Sequence, residues 1–282
     1  MMDHESNASW LGLVRSVNTV IRGVNSSGTM SDERAHRIRK ELKKARASLR
    51  LLRHRLGERT YRRENAVLRD ASHVVSPLRD ARAQLDLLET LGKRFGKDLS
   101  AGELAWIRMP LRKDLARSRR RVRPNAPSVR RMVRSLSDSL GRLRSVAPGS
   151  MAAARTRKGL RRLYASARKA FDAASSNPTA ASLHEWRKKT KYLYNALDVV
   201  APQRAREMSP RTRKQADKLG DWLGEEHDLV VLSSELRRGG VPVAVQAKLR
   251  RVIGRRRKKL AKKALKLGAR TYSQGPRKAI HA

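Results

Sequence analysis

The sequence predicts an all-α protein. Apolar residues recur at spacings of three and four almost throughout, and alternating strand-like runs rich in Val, Ile, Thr and aromatics are missing. Breaks marked by Gly, Pro, Asn and Ser then cut the chain into eight or nine segments of helical length.

In chain order, the first helix covers about 9–24 and ends in the break Asn25 to Met30. A second runs to a break around Gly57, and a third to the break from Gly92 to Asp98. Ser100 with Glu103 three residues later fits a capping box for the region 99–122. Ser128, after the break Pro124 to Pro127, is placed to cap a segment ending near Val146. Further breaks fall at Ala147 to Ser150, Ser175 to Pro178, Pro202 to Pro210 and Gly239 to Pro242. Pro77 and Pro110 lie inside helical patterns, where a lost backbone donor predicts a kink or interruption at each.

An internal repeat organises these elements. A single shift of 148 residues maps His36 to His184, Arg39 to Arg187, Lys40 to Lys188 and Lys43 to Lys191. The same shift carries Leu49 to Leu197, Leu52 to Val200, Val75 to Leu223, and Arg79-Asp80 to His227-Asp228. It also relates 9–24 to 157–172 and 99–122 to 247–270. The expected organisation is a first helical bundle over about 9–122, a connecting helix over about 128–146, a second bundle over about 150–271 and a basic C-terminal tail at 272–282.

The charge is extreme: 67 Lys plus Arg stand against 25 Asp plus Glu, a net +42 in 282 residues. Such self-repulsion calls for an anionic partner, and nucleic acid, an anionic membrane and polymeric phosphate all qualify. With 39% hydrophobic residues a core is feasible, so this is no disordered basic tail. Zero cysteines exclude disulfides and thiolate zinc sites and suit a reducing compartment, so the expected location is the cytoplasm. The first twenty residues lack a secretory signal, and no uncharged apolar run reaches the roughly 18 residues of a membrane span.

On a helix turning about 100° per residue, Arg39, Lys40, Lys43, Arg50 and His54 fall within roughly 60° of His36, while Ile38, Leu42, Leu49 and Leu52 gather opposite. In the second copy His184, Arg187, Lys188 and Lys191 share one face, and Trp186, Leu193, Leu197 and Val200 share the other. A solvated face normally mixes signs to gain i,i+4 pairs; these two are nearly pure cation. Arg grips two phosphate oxygens, Lys supplies a mobile point charge and His donates a hydrogen bond, so such a face suits a repeating phosphate polymer. Arg62, Arg63 and Arg69 in the first half, and Arg211, Lys214 and Lys218 in the second, extend the candidate binding set. Asp80 and Asp228 are expected to orient neighbouring basic side chains or cap backbone rather than contact an anion. Proton uptake by the histidines would strengthen binding below neutral pH.

The paired His-x-x-Arg-Lys-x-x-Lys helices at His36 and His184, with Tyr61-Arg62-Arg63-Glu64-Asn65 and Ser76-Pro77-Leu78-Arg79-Asp80, resemble the CHAD domain, the conserved histidine α-helical domain, over roughly 9–271. The resemblance implies two four-helix bundles related by pseudo-twofold symmetry, with basic faces lining a central channel or groove that binds inorganic polyphosphate. It places His36, Arg39, Lys40, Lys43, His184, Arg187, Lys188 and Lys191 in that site. It also implies a stand-alone, non-catalytic module recruited to polyphosphate granules.

Non-specific binding to DNA or RNA is the alternative reading, favoured by the cation run Arg255-Arg256-Arg257-Lys258-Lys259 and by Lys262, Lys263 and Lys266. Aromatics total only 4%, which argues against base stacking. An enzyme needs a metal-holding carboxylate set, a nucleophile or a phosphate loop, and the sequence offers none. At His184-Glu185 the position for a second zinc ligand holds Lys188. No cofactor or metal is expected.

Overall fold

A computed structural model describes residues 4–145, 153–200, 210–236 and 240–280. The expected breaks at Ala147 to Ser150 and Pro202 to Ser209, together with Gly239 and His281, lie outside the described residues. Ten helices occur among those described: α1 (His4–Asn25), α2 (Asp32–Leu51), α3 (Arg53–Arg94), α4 (Ala101–Arg121), α5 (Pro127–Ser145), α6 (Ala153–Ser176), α7 (Ala180–Val200), α8 (Pro210–Glu235), α9 (Val243–Thr271) and the short α10 (Pro276–Ala279). There is no strand among them.

Local chemistry fixes the helix starts. Ser31 Oγ accepts from Arg34 N at 3.1 Å, and Asp32 and Glu33 sit at the positive end of α2. At α4 the expected capping box is formed, with Ser100 N donating to Glu103 Oε2 at 2.8 Å and Glu103 N donating to Ser100 Oγ at 3.2 Å. Thr179 Oγ1 accepts from Ser182 N at 3.1 Å ahead of α7.

Three local expectations need correction. Both α3 and α4 run through their prolines; the one non-helical residue within α3 is Gly57, at φ 71°. Proline's own φ is helical, and the carbonyls it leaves unbonded belong to His73 and Trp106, both exposed residues with water at hand. Ser128 is no cap: α5 already starts at Pro127, and the Ser128 hydroxyl donates to Arg121 O at 3.4 Å. His54 falls outside α2, which stops at Leu51, and its Nε2 lies beside Arg162 Nη1.

Consecutive helices are neighbours, α1 to α4 in the first half and α6 to α9 in the second, and α5 lies on α1 and α3. The halves meet where α2 packs on α7 and α3 on α8. Shifting α1, α2 and α4 by 148 gives 152–173, 180–199 and 249–269, beside the observed 153–176, 180–200 and 243–271.

The apolar cores do not respect those halves. Around the buried residues of α1 to α5, the larger cluster also takes Leu229, Leu232 and Leu236 of α8 and its end, and Val245, Leu249, Val252 and Ile253 of α9. The smaller cluster surrounds Trp186, fully buried with Phe171 at 5.1 Å between ring centroids, and includes Leu51 of α2. Gly268 is required there, since a Cβ would lie 2.6 Å from Phe171 and 2.7 Å from Trp186. The segment after α9 is also packed: Tyr272, Ala279 and Ile280 are buried, and Tyr164 Oη donates to Thr271 O at 2.8 Å.

One buried charge pins α5. Glu64 is fully buried and accepts from Ser139 Oγ at 2.6 Å, Arg142 Nε at 2.8 Å and Arg63 Nε at 2.6 Å. Burial alone would raise its pKa, but these bonds outweigh it and hold the carboxyl below its usual range.

Candidate polyanion-binding seam

Because α2 and α7 carry the two cationic stripes and pack against each other, the stripes converge at the seam between the halves. Lys43 is crowded by Arg39 on its own helix and by Arg187 and Lys191 across the seam. Lys43 is an exposed residue of α2 that is nonetheless surrounded by these charges. Burial first, and then those three cations, push its pKa down to about 8, with Asp80 opposing.

Arg187 lies opposite Arg39. Burial depresses its pKa, Asp228 counters this, and Arg39 adds to the depression. It stays cationic, and its buried Nε has no acceptor among the described residues; nor does one Nη of Arg79. Arg39 is held by Asp80 of α3 at 2.5 Å, so this carboxylate does orient a neighbouring cation. Asp228 is raised chiefly by burial, and its backbone carbonyl accepts from Gln84 Nε2 at 3.2 Å.

Small residues make room for the second stripe. A Cβ at Gly220 would come within 2.8 Å of Lys191 Cε, and the nearest atom to one at Gly224 is Arg187 Nε at 3.9 Å. Gly220 thus lets Lys191 lie against the α8 backbone, while Gly224, one turn on, faces Arg187 at ordinary contact distance. The shift of 148 places Ser72 and Ser76 at the matching positions of α3.

The histidines are engaged. His36 Nδ1 accepts from Arg79 Nε at 3.2 Å, which puts the proton of the neutral ring on Nε2, available to donate outward. His184 Nδ1 lies 3.1 Å from His227 Nδ1, an arrangement in which one nitrogen donates and the other accepts. Burial, then neighbouring cations, lower both His36 and His184, and His227 falls to about 4. The free protein therefore keeps these rings neutral at pH 7, and strengthening of binding through their protonation must first overcome the local cations.

The other candidates are spread more widely. Lys40 is exposed on α2, and Lys188 is bound to Glu185 at 2.5 Å. Arg62 pairs with Glu58 at 2.6 Å, Arg63 with the structural Glu64, and Arg69 with Asp70 at 2.9 Å. Arg211 and Lys214 are exposed on α8, and Lys218 lies 5.2 Å from the Trp222 ring centre. Arg50 is buried along α2 from this cluster, with its guanidinium 3.8 Å over the Tyr192 ring.

Two seam cations escaped the sequence reading. Arg46, three residues after Lys43 and four before Arg50, completes a row at spacings of four, three and four; that signal was present in the sequence. Arg162 has none, because the shift of 148 pairs it with Val14.

Lys43 gives a direct pH prediction. A phosphate polymer raises its pKa back toward 10, so binding near pH 8 takes up a proton and affinity falls between about pH 8 and 10. Calorimetry in buffers of different ionisation enthalpy should show this uptake in the native protein and its loss in Lys43→Gln.

Among the described residues, no group of three or more His, Cys, Asp or Glu is placed to hold a metal ion, and no helix is long and apolar enough to cross a membrane.

The family model for the CHAD domain matches residues 23–237. Among solved structures, the CHAD domain from the plant Ricinus communis superposes with a TM-score of 0.69 at 19% identity, covering 98% of this chain and 94% of that one. PptA from Streptomyces chartreusis superposes with a TM-score of 0.66 at 15% identity, covering 96% of this chain and 99% of that one. Such identities establish a shared fold. A comparison with curated proteins finds no match. The family match takes in both helices that build the seam, and on that footing the chain belongs to the CHAD domain family.

Proposed function

We propose that this protein is a non-catalytic binder of inorganic polyphosphate, which it holds along the α2–α7 seam and through which it is recruited to polyphosphate granules. The observation that carries this reading is the convergence of Arg39, Lys43, Arg187 and Lys191, drawn from two helices, at one place. Like charges held together in the free protein are a standing cost that a polymer with a charge on every phosphate relieves. The family's link to polyphosphate supports the same assignment.

A second polyanion reading draws on α9. Its outer face exposes Arg251, Lys258, Lys259, Lys262 and Lys266, whereas Arg255, Arg256 and Arg257 pair with Asp98, Glu225 and Glu226. Non-specific contact with duplex DNA or RNA backbone would use this face.

A competition titration of long-chain polyphosphate against duplex DNA, at several salt concentrations, separates the two. The expected result is a preference for polyphosphate near physiological salt that survives changing Lys258, Lys259, Lys262 and Lys266 to Gln. Equal competition by DNA, with both ligands lost in that variant, would make the protein a general polyanion binder working through α9.

A further inference from the structure

At the other end of the seam lies a pocket that differs from the open cationic groove. Arg50 sits 11 residues after Arg39, about 16 Å along α2 at the helical rise. Beside it is a cavity of about 210 Å³ between α2, α3, α6 and α7, lined by Arg50, Arg53, Tyr61, Arg162, Lys189 and Tyr192 among others. The lining has four cations, two phenols and, among the described residues, no carboxylate.

The state of each cation matters. Arg53 is neutralised by two bonds to Glu58, at 2.8 and 3.0 Å, and Lys189 lies 3.2 Å from Glu185. Among the described residues, Arg50 and Arg162 have no carboxylate partner. Arg50 is 8% exposed, spends one N–H on Arg46 O at 3.1 Å and stacks on Tyr192. Arg162 donates to Arg50 O at 3.0 Å and meets His54 Nε2 at 2.5 Å. Burial is the leading cause lowering the pKa of both, yet guanidinium remains charged. Two partly desolvated cations thus share one cavity, each with donors still to place.

Size narrows the ligand. At about 210 Å³ the pocket is smaller than the roughly 300 Å³ usual for drug-sized ligands, and it has room for one small anionic group. A single tetrahedral oxyanion suits this lining, whose guanidinium and phenol groups are all hydrogen-bond donors.

We infer that this Arg50–Arg162–Tyr192 pocket is a separate site for one phosphoryl group, supplied as free orthophosphate or as the terminal phosphate of a chain. The inference rests on the pocket and stands independently of long-chain binding in the seam. Arg50 belongs to the buried core, so the test uses the part-exposed Arg162→Gln and Lys189→Gln, with circular dichroism confirming the fold.

Isothermal titration with orthophosphate at constant ionic strength should give one saturable site, weakened at least tenfold by Arg162→Gln and unaffected by Arg39→Gln/Arg187→Gln. Tripolyphosphate with free ends and the same chain with both ends blocked separate the sources. Loss of affinity on blocking, in the native protein but not in Arg162→Gln, assigns the pocket to chain ends; equal affinity for the two assigns it to free orthophosphate. No saturable orthophosphate binding, or binding that Arg39→Gln/Arg187→Gln abolishes and Arg162→Gln leaves intact, overturns the inference. Long-chain titrations on the same variants report on the seam by themselves, so either site can fail without the other.

Discussion

Changing Arg39, Lys43, Arg187 and Lys191 to Gln is expected to weaken long-chain polyphosphate binding by at least about a thousandfold at moderate salt. Charge-assisted hydrogen bonds contribute about 1.5–3 kcal/mol each, and 1.4 kcal/mol is tenfold in affinity, so four partly redundant contacts exceed about 4 kcal/mol together. The dependence of log affinity on log salt should flatten by about four, roughly one per lost phosphate contact. Free-protein stability should change little or rise, because the mutual repulsion among Arg39, Lys43, Arg187 and Lys191 is removed, while Asp80, Asp228 and Asp221 lose partners, a smaller opposing effect. Titrations at three salt concentrations and a thermal melt test both halves. Undiminished affinity with an unchanged salt slope would remove the seam from the binding site.

Glu64→Ala should have the largest effect on stability, a loss of about 2–3 kcal/mol, the cost of removing charge-assisted hydrogen bonds from a buried carboxylate whose arginine partners stay partly in water. The substitution leaves Ser139 Oγ and the Arg142 guanidinium facing a cavity between α3 and α5. The sign with pH follows from its lowered pKa. This contribution is present above the unfolded value of 4.5 and is lost as pH falls through the lower folded value. Urea unfolding at pH 7 and pH 3 should therefore show a large gap between native protein and variant at the first and a smaller one at the second. A gap that stays the same at both would mean that cavity formation, not charge, dominates.

The helices were legible because each reports itself locally. The Ser100–Glu103 box, the Asn25 to Met30 break and the 148-residue shift depend on neighbours along the chain, and the start of α4 and the end of α1 fall where they indicate, whereas α2 stops at Leu51, short of the expected break around Gly57, and α1, α6 and α9 begin four or five residues early. Pro77 and Pro110 misled because their effect depends on whether the released carbonyl faces water, which periodicity does not state. The cationic faces of α2 and α7 were readable as well, but their meeting was not: a helical wheel does not say which face another helix covers. For the same reason Arg63 read as a ligand contact when its carboxylate partner, Glu64, is the one that clamps α5. Arg162 reaches the seam from α6 and carries no periodic mark at all.

The continuity of the larger core across both halves bears on how the chain can be divided. Leu229, Leu232, Val245, Leu249 and Val252 complete an interior begun by α1 to α5, and Leu51 returns the exchange. A fragment ending at Ser145 would present that interior to water, as would its complement. Neither half is therefore expected to fold as a separate module. The meeting of α2 and α7 would then exist only in the intact chain.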